Sequence, residues 1–322
     1  MNEVISVVVP MYYEEEVVDE CYQRLTKVMK DNNYNYELIF INDGSKDGTL
    51  EKLLTIAEKD KKVKIIDFAR NFGHQTAVTA GIDFAIGDAV VIIDADLQDP
   101  PELIPEMISK WMEGYEVVYA KRKKRKGESW FKLTTAKYFY KFLNYMSEIE
   151  IPKDTGDFRL IDRKVADVFK QMTERNRFVR GMISWVGFRQ TCIEYVRDER
   201  FAGETKYPLK KMLKFAADGI IAFSTKPLRI LMTVGFLSVL LSFFVLIYSL
   251  LVKLFGKDVE AGWTSIMVAI TFFSGIQLLS LGIIGQYIAR IYDESKNRPI
   301  YIVRDAYNIG AEKKKDSKAE FS

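Results

Sequence analysis

Asp94 and Asp96 leave a short apolar run together, and Gln98 and Asp99 follow at once. Carboxylates packed this closely repel one another unless a cation neutralises them. Mg2+ or Mn2+ suits such a set, because either ion takes one or two carboxylates and completes its shell with water and phosphate oxygens. An Asp-x-Asp also arises by chance, as a polar turn whose aspartates cap a helix. Here it follows a strand-like run and leads into Pro100-Pro101-Glu102 at a helix start, the context of a metal motif.

Three other apolar runs end in polar clusters: Pro10-Met11-Tyr12-Tyr13-Glu14-Glu15, Asn42-Asp43-Gly44-Ser45-Lys46-Asp47-Gly48 and Ala69-Arg70-Asn71-Phe72-Gly73-His74. Asp43 and Asp47 lie in a Gly-rich turn where helix capping is the ordinary role. A carboxylate at such a place can instead accept the imide N–H of uracil. Both roles stand for Asp43, and capping suits Asp47. The guanidinium of Arg70 matches the geometry of a diphosphate. His74 is the single histidine, so it has no partner histidine for a metal site. It reads as a supporting residue rather than a metal ligand or base.

The elements that must position these clusters follow from periodicity. Strands are predicted at Ile5–Val9, Leu38–Ile41, Val63–Phe68, Ala89–Ile93 and Val117–Ala120, with helices over Glu15–Asp31, Thr49–Asp60, His74–Ala85 and Glu102–Glu113 between them. Strands apolar on both faces, separated by helices, predict an α/β fold with a mainly parallel sheet covered on both sides. Ligands bind beyond the carboxyl ends of such strands, where all four clusters fall.

The chain of 322 residues suffices for one substantial domain and an appendage. Its net charge of +3 gives no reason to expect a nucleic-acid partner. Cys21 and Cys192 show neither metal-ligand spacing nor a disulfide framework, and no signal peptide is expected at the amino end. Ile230–Val252 and Ala261–Ala289 contain no Asp, Glu, Lys or Arg until their ends. The first would run about 34 Å as a helix, against about 30 Å of bilayer hydrocarbon. Lys226 and Arg229 before the first stretch, with Arg290, Lys296 and Arg298 after the second, place both termini on the cytoplasmic side. Residues 207–223 carry Lys210, Lys211 and Lys214 among apolar residues, the pattern of an amphipathic helix at the membrane interface or of a solvated surface helix. The basic run 121–126 is either a solvated loop or an attraction for anionic lipid or the sugar nucleotide. The aromatic stretch 130–146 suits core packing and membrane dipping equally. The expected organisation is a catalytic domain at 1–206, an interfacial segment at 207–227, spans at 228–252 and 263–289 joined by a loop at 253–262, and a tail at 290–322.

The series VVVPMYYEEE, INDGSKDGT, RNFGHQTAVTAGIDFA and DADLQDPPE resembles family 2 glycosyltransferases of the GT-A, Rossmann-like fold. Through TGDFRLIDRKV, FVRGMISWVGFRQ and RFAGETKY, followed by two spans, it resembles the polyprenyl-phosphate branch of that family, the bactoprenol glucosyltransferases and dolichol-phosphate mannose synthases. The resemblance implies a nucleotide pocket from Pro10, Tyr12, Glu14 and Asp43, with Arg70 and Asp94 beside it. It implies a divalent cation, Mg2+ or Mn2+, held by Asp96 and Gln98 with Asp94 close by. Tyr13 stands where the family usually has Asn, and Thr205 where Ser is common. The Gln-x-x-Arg-Trp motif of processive synthases is absent, which implies one transfer per acceptor.

The implied reaction moves a hexose, glucose by resemblance, from a nucleotide diphosphate sugar to a polyprenyl phosphate, with inversion. A lipid phosphate monoester has a second pKa of about 6 and is largely dianionic at neutral pH, so positive charge matters more than a strong base. Arg159, Arg200 and Lys206 are the candidates for gripping it, with Arg177 and Arg180 behind them. Asp157 has three possible roles: orienting the acceptor, taking its proton, or pairing with Arg159 structurally. Membrane lipids and a homo-oligomer are the further partners implied.

Overall fold

The computed structural model describes residues 3–123, 155–196, 224–254 and 262–309. Arg200, Lys206, the interfacial segment 207–223, the aromatic stretch 130–146 and the basic run beyond residue 123 lie outside them.

Eight described strands form one sheet: β1 (Val4–Met11), β2 (Asn35–Asn42), β3 (Val63–Phe68), β4 (Ala89–Ile92), β5 (Val117–Arg122), β6 (Thr155–Asp162), β7 (Gln190–Tyr195) and β8 (Val303–Tyr307). Their order is β7-β5-β6-β4-β1-β2-β3-β8. The sheet is mainly parallel; β6 runs against both β4 and β5, and β8 runs against β3. The first five strands stand where the β-branched runs predict them. β6, β7 and β8 were not foreseen: β6 carries Asp157 and Arg159 inside a buried strand, and β8 reads Val-Arg-Asp-Ala-Tyr, so neither shows a clean apolar pattern.

Helices α1 (Val18–Asp31), α2 (Thr49–Lys59), α3 (His74–Phe84), α4 (Ile104–Met112), α5 (Arg163–Gln171) and α6 (Val179–Trp185) belong to the same unit. α1 buries Val18, Cys21, Leu25, Val28 and Met29, the stripe that one face of a helix presents. α3 is buried nearly all round, and a Cβ at Gly81 would drive into the Val8 side chain on β1. That close seat brings the amino end of α3, with His74, over the carboxyl ends of the strands. Asp162 caps α5, its Oδ1 accepting from the Lys164 N–H at 2.8 Å. Pro10 lies two residues beyond Val8, the last rung that β1 shares with β4, so its missing N–H breaks no described pairing there.

A separate unit contains two long helices, α7 (Lys226–Leu254) and α8 (Trp263–Ser295). At 29 and 33 residues they extend roughly 44 and 50 Å. Both charge-free stretches fall on them, and both are long and apolar enough to cross a membrane. Met232, Phe236, Val239, Leu278 and Leu281 are exposed along them, and neither apolar window is buried, which excludes the reading of two soluble-core helices.

Candidate active site

The carboxyl end of β4 and the amino end of antiparallel β6, with the start of α3, gather His74, Asp94 and Asp157. One ligand atom from each lies within 4.8 Å of the others. Nε2 of His74 is 3.0 Å from Oδ2 of Asp157 and 3.5 Å from Oδ1 of Asp94. Burial works against a charged imidazole, yet the Asp157 hydrogen bond and the Asp94 carboxylate outweigh it and raise the His74 pKa to about 9. The Asp94 pKa is raised too, which for a carboxylate disfavours the charged form. Burial raises its pKa to about 6, His74 opposes this, and Asp157, Asp99 and Asp96 add their repulsion. Its buried Oδ1 has no hydrogen-bond partner among the described residues.

Asp157 is the best-held acid of the group. Nε of Arg180 donates to its Oδ1 at 2.7 Å, and Nη1 of the same arginine donates to the Thr155 carbonyl at 2.9 Å. Burial would raise its pKa, but the His74 hydrogen bond and the guanidinium groups of Arg180 and Arg159 hold it well below the usual carboxylate range. Gln75 ties this corner to α6, its Oε1 accepting from the Val179 N–H at 2.9 Å.

Arg159 is only 4% exposed. Its guanidinium turns back on its own strand, donating to the Gly156 carbonyl at 3.0 Å and the Asp157 carbonyl at 3.2 Å. Burial lowers its pKa to about 10. These bonds use Nε and Nη2, and Nη2 also lies 3.9 Å from Asp157 Oδ1. The Arg180 side chain, 27% exposed, reaches solvent where that of Arg159 does not.

A second cluster surrounds Asp43 at the end of β2. Its Oδ1 accepts from the Phe72 N–H at 2.7 Å, and its Oδ2 accepts from the Gly73 N–H at 2.9 Å and the Asn71 side chain at 3.0 Å. The carboxylate thus fastens the loop between β3 and α3. Gly44 makes this approach possible: its φ is +71°, and a Cβ there would sit 2.5 Å from the Arg70 carbonyl carbon. Arg70 caps the loop, its guanidinium 4.0 Å from the centre of the Phe72 ring and its Nη1 donating to Asn71 O at 3.0 Å.

The loop after β1 is sewn to the same region. The Tyr13 N–H donates to Ser45 Oγ at 3.1 Å, the Glu14 N–H to Thr49 Oγ1 at 3.0 Å, and the Gly48 N–H to Glu15 Oε2 at 2.9 Å. Asp47 stands one residue before the N-cap Gly48 of α2, and its Oδ1 accepts from the Thr49 N–H at 3.2 Å and the Thr49 hydroxyl at 2.7 Å. Tyr12 and Tyr13 are half-exposed, edge to face at 4.6 Å. Tyr13 has φ +57°, a conformation that Asn adopts more readily than Tyr.

The turn from Asp94 to Asp99 follows β4. Leu97 has φ +57°, and Asp96 Oδ1 accepts from the Gln98 N–H at 3.1 Å. Asp99 is fully buried, accepts from the Tyr195 hydroxyl and lies 3.5 Å from Nη2 of Arg122. The structure therefore places Asp94, Asp96, Gln98, Asp157, Arg159 and Arg70 at one end of the sheet with Pro10, Tyr12, Glu14 and Asp43. His74 stands at the centre with Asp94 and Asp157, and Arg180, named above behind Arg159, holds the other oxygen of Asp157.

Residues 6–169 match the family model Glycosyl transferase family 2, and residues 226–291 match the GtrB C-terminal hairpin. The uncharacterized glycosyltransferase YkcC of Bacillus subtilis strain 168 is 60% identical over 304 residues, 94% of each chain. The prophage bactoprenol glucosyl transferase homolog of Escherichia coli K12 is 42% identical over 93% of this chain and 98% of its own. The bactoprenol glucosyl transferase of Shigella phage SfV is 43% identical over 94% and 98%. With polar strand ends inside a matched catalytic core and a matched hairpin after it, this chain belongs to the family 2 glycosyltransferases.

Proposed function

We propose that the chain transfers glucose from a UDP-linked donor to undecaprenyl phosphate at the cytoplasmic face of the membrane, with a divalent cation and inversion at the anomeric carbon. The observation that carries this reading is one sheet end joining the Asp94–Asp96–Gln98 turn to the Asp157–Arg180 pair, in a chain with two exposed apolar helices. The bactoprenol glucosyl transferase names of full-length relatives support the lipid and the sugar.

The residues present fit a hard cation. Asp94 Oδ1 is buried without a hydrogen-bond partner among the described residues, and Asp96 lies beside it. Mg2+ and Mn2+ prefer oxygen, so Asp94, Asp96 and Gln98 are the proposed holders, with His74 supplying counter-charge to Asp94 and Asp157. When bound, the ion neutralises the departing diphosphate.

In the transfer, a lipid phosphate oxygen bonds to the anomeric carbon as the bond from that carbon to the diphosphate oxygen breaks. The electron pair leaves with the nucleoside diphosphate. The acceptor arrives largely dianionic, so no strong base is required. Asp157, locked as a carboxylate, orients Arg180 toward the acceptor phosphate, and Arg159 keeps the β6 backbone in register. Arg200 and Lys206, outside the described residues, complete the cationic grip. Pro10, Tyr12, Glu14, Asp43 and Arg70 hold the nucleotide. Both termini lie on the cytoplasmic side, and the chain works among membrane lipids as a homo-oligomer.

The test uses purified full-length protein, undecaprenyl phosphate, Mn2+ or Mg2+, and separate labelled sugar nucleotides. Label entering the organic phase from UDP-glucose, and lost with chelator, is the expected result. Transfer from a different donor would replace the sugar, and transfer unaffected by chelator would remove the cation.

A further inference from the structure

Past α8 the chain re-enters the α/β unit. β8 lies antiparallel on β3, with Ala306 opposite Ile66 and Asp305 opposite Asp67. It does more than cover an edge. Ala69, the residue before Arg70, is gripped from both sides: its N–H donates to the Ile302 carbonyl at 3.0 Å, and its own carbonyl accepts Nη2 of Arg304 at 2.8 Å. Nη1 of Arg304 lies 3.6 Å from Oδ2 of buried Asp67, whose Oδ1 accepts from the Asn42 side chain at 2.7 Å. Tyr301 stacks on Phe68 at 5.3 Å, and its hydroxyl donates to Asp83 on α3 at 3.0 Å. Phe68 in turn meets the Phe72 ring edge-on at 5.6 Å.

Three of these contacts lead toward the residues that frame Asp43: Asp67 holds Asn42, Phe68 meets Phe72, and Ala69 lies two residues before Asn71. Asn42 precedes Asp43 in the chain, and Asn71, Phe72 and Gly73 bind its carboxylate. We infer that Arg304 is a positioning residue for the nucleotide pocket: the strand after the membrane hairpin braces the β3–α3 loop, and thereby sets donor affinity. This rests on the proposed nucleotide pocket. The Arg304 side chain is 55% exposed, so its ion pair with Asp67 is weakened by solvent. The hydrogen bond to Ala69 O carries the effect, because it acts on backbone geometry one residue from Arg70 and leaves the acceptor side untouched.

The test compares full-length Arg304→Ala, Arg304→Lys and Tyr301→Phe with the parent in detergent. It measures the Kd for UDP, donor and acceptor KM, kcat and the melting temperature. Arg304→Ala weakens UDP binding about five- to tenfold and raises donor KM by the same factor, with kcat and acceptor KM within about twofold. Arg304→Lys, whose ammonium still reaches Ala69 O, returns to within about threefold of the parent. Tyr301→Phe shifts UDP binding in the same direction, about threefold, and carries the test alone if Arg304→Ala does not fold. UDP affinity within twofold of the parent in folded Arg304→Ala and in Tyr301→Phe overturns the inference, as does a rise in acceptor KM equal to that in donor KM. A parent that binds no nucleoside diphosphate refutes the pocket itself and the brace with it.

Discussion

His74 and Asp157, 83 residues apart in the chain, meet with Nε2 and Oδ2 3.0 Å apart. The contact joins the start of α3 to the antiparallel strand β6, and Arg180 closes it from α6 on the other carboxylate oxygen at 2.7 Å. Asp157 is thereby held as a carboxylate between an imidazole and a guanidinium.

Removing one member leaves a mostly buried carboxylate short of a partner. His74→Asn is expected to lower the transfer rate at least tenfold. The imidazole is partly exposed, so the stability loss stays below about 2 kcal/mol. Initial rates and thermal unfolding measured side by side check this. Undiminished transfer would show that the His74–Asp157 contact plays no part in the reaction.

Asp96→Asn should weaken Mn2+ binding at least tenfold, whereas His74→Asn should change it by no more than about threefold, because the cation prefers the oxygen donors. Titration of Mn2+ into each variant separates the two. The opposite pattern would move the cation to the His74, Asp94 and Asp157 group.

Gly44→Ala places a Cβ against the Arg70 and Asn71 backbone at φ +71°. A destabilisation of about 2 kcal/mol is expected, together with weaker nucleotide binding. An unchanged melting temperature would mean that the loops after β2 and β3 do not pack this closely.

Arg180→Ala should raise acceptor KM about tenfold or more with little change in UDP affinity, and Arg180→Lys should recover part of the loss. Equal effects on both substrates, measured by steady-state kinetics and UDP titration, would reassign Arg180 to general support of the sheet end.

The parallel half of the sheet was legible because β1 to β4 are β-branched runs buried on both faces, and the polar strand ends followed from that layout. Asp94, Asp96 and Asp43 stood out for the same reason. His74 did not, because its value lies in the β4–β6 pairing, where Ile92 faces Arg159, and in the close seat of α3 on Gly81. Neither relation leaves a local pattern. The placement of Arg159 leaves no local pattern either: it shares a strand face with Asp157, and its buried guanidinium donates to the Gly156 and Asp157 carbonyls. β8 was hidden because a short strand with two charges, arriving after a hairpin, resembles a tail.

Mass spectrometry of undecaprenyl phosphate, after incubation with the full-length protein, UDP-glucose and Mn2+, tests the central claim most directly. The account predicts a lipid heavier by one hexosyl unit, absent when Asp157→Asn replaces the parent. An unchanged lipid, or the same product formed by Asp157→Asn at the parental rate, would contradict it.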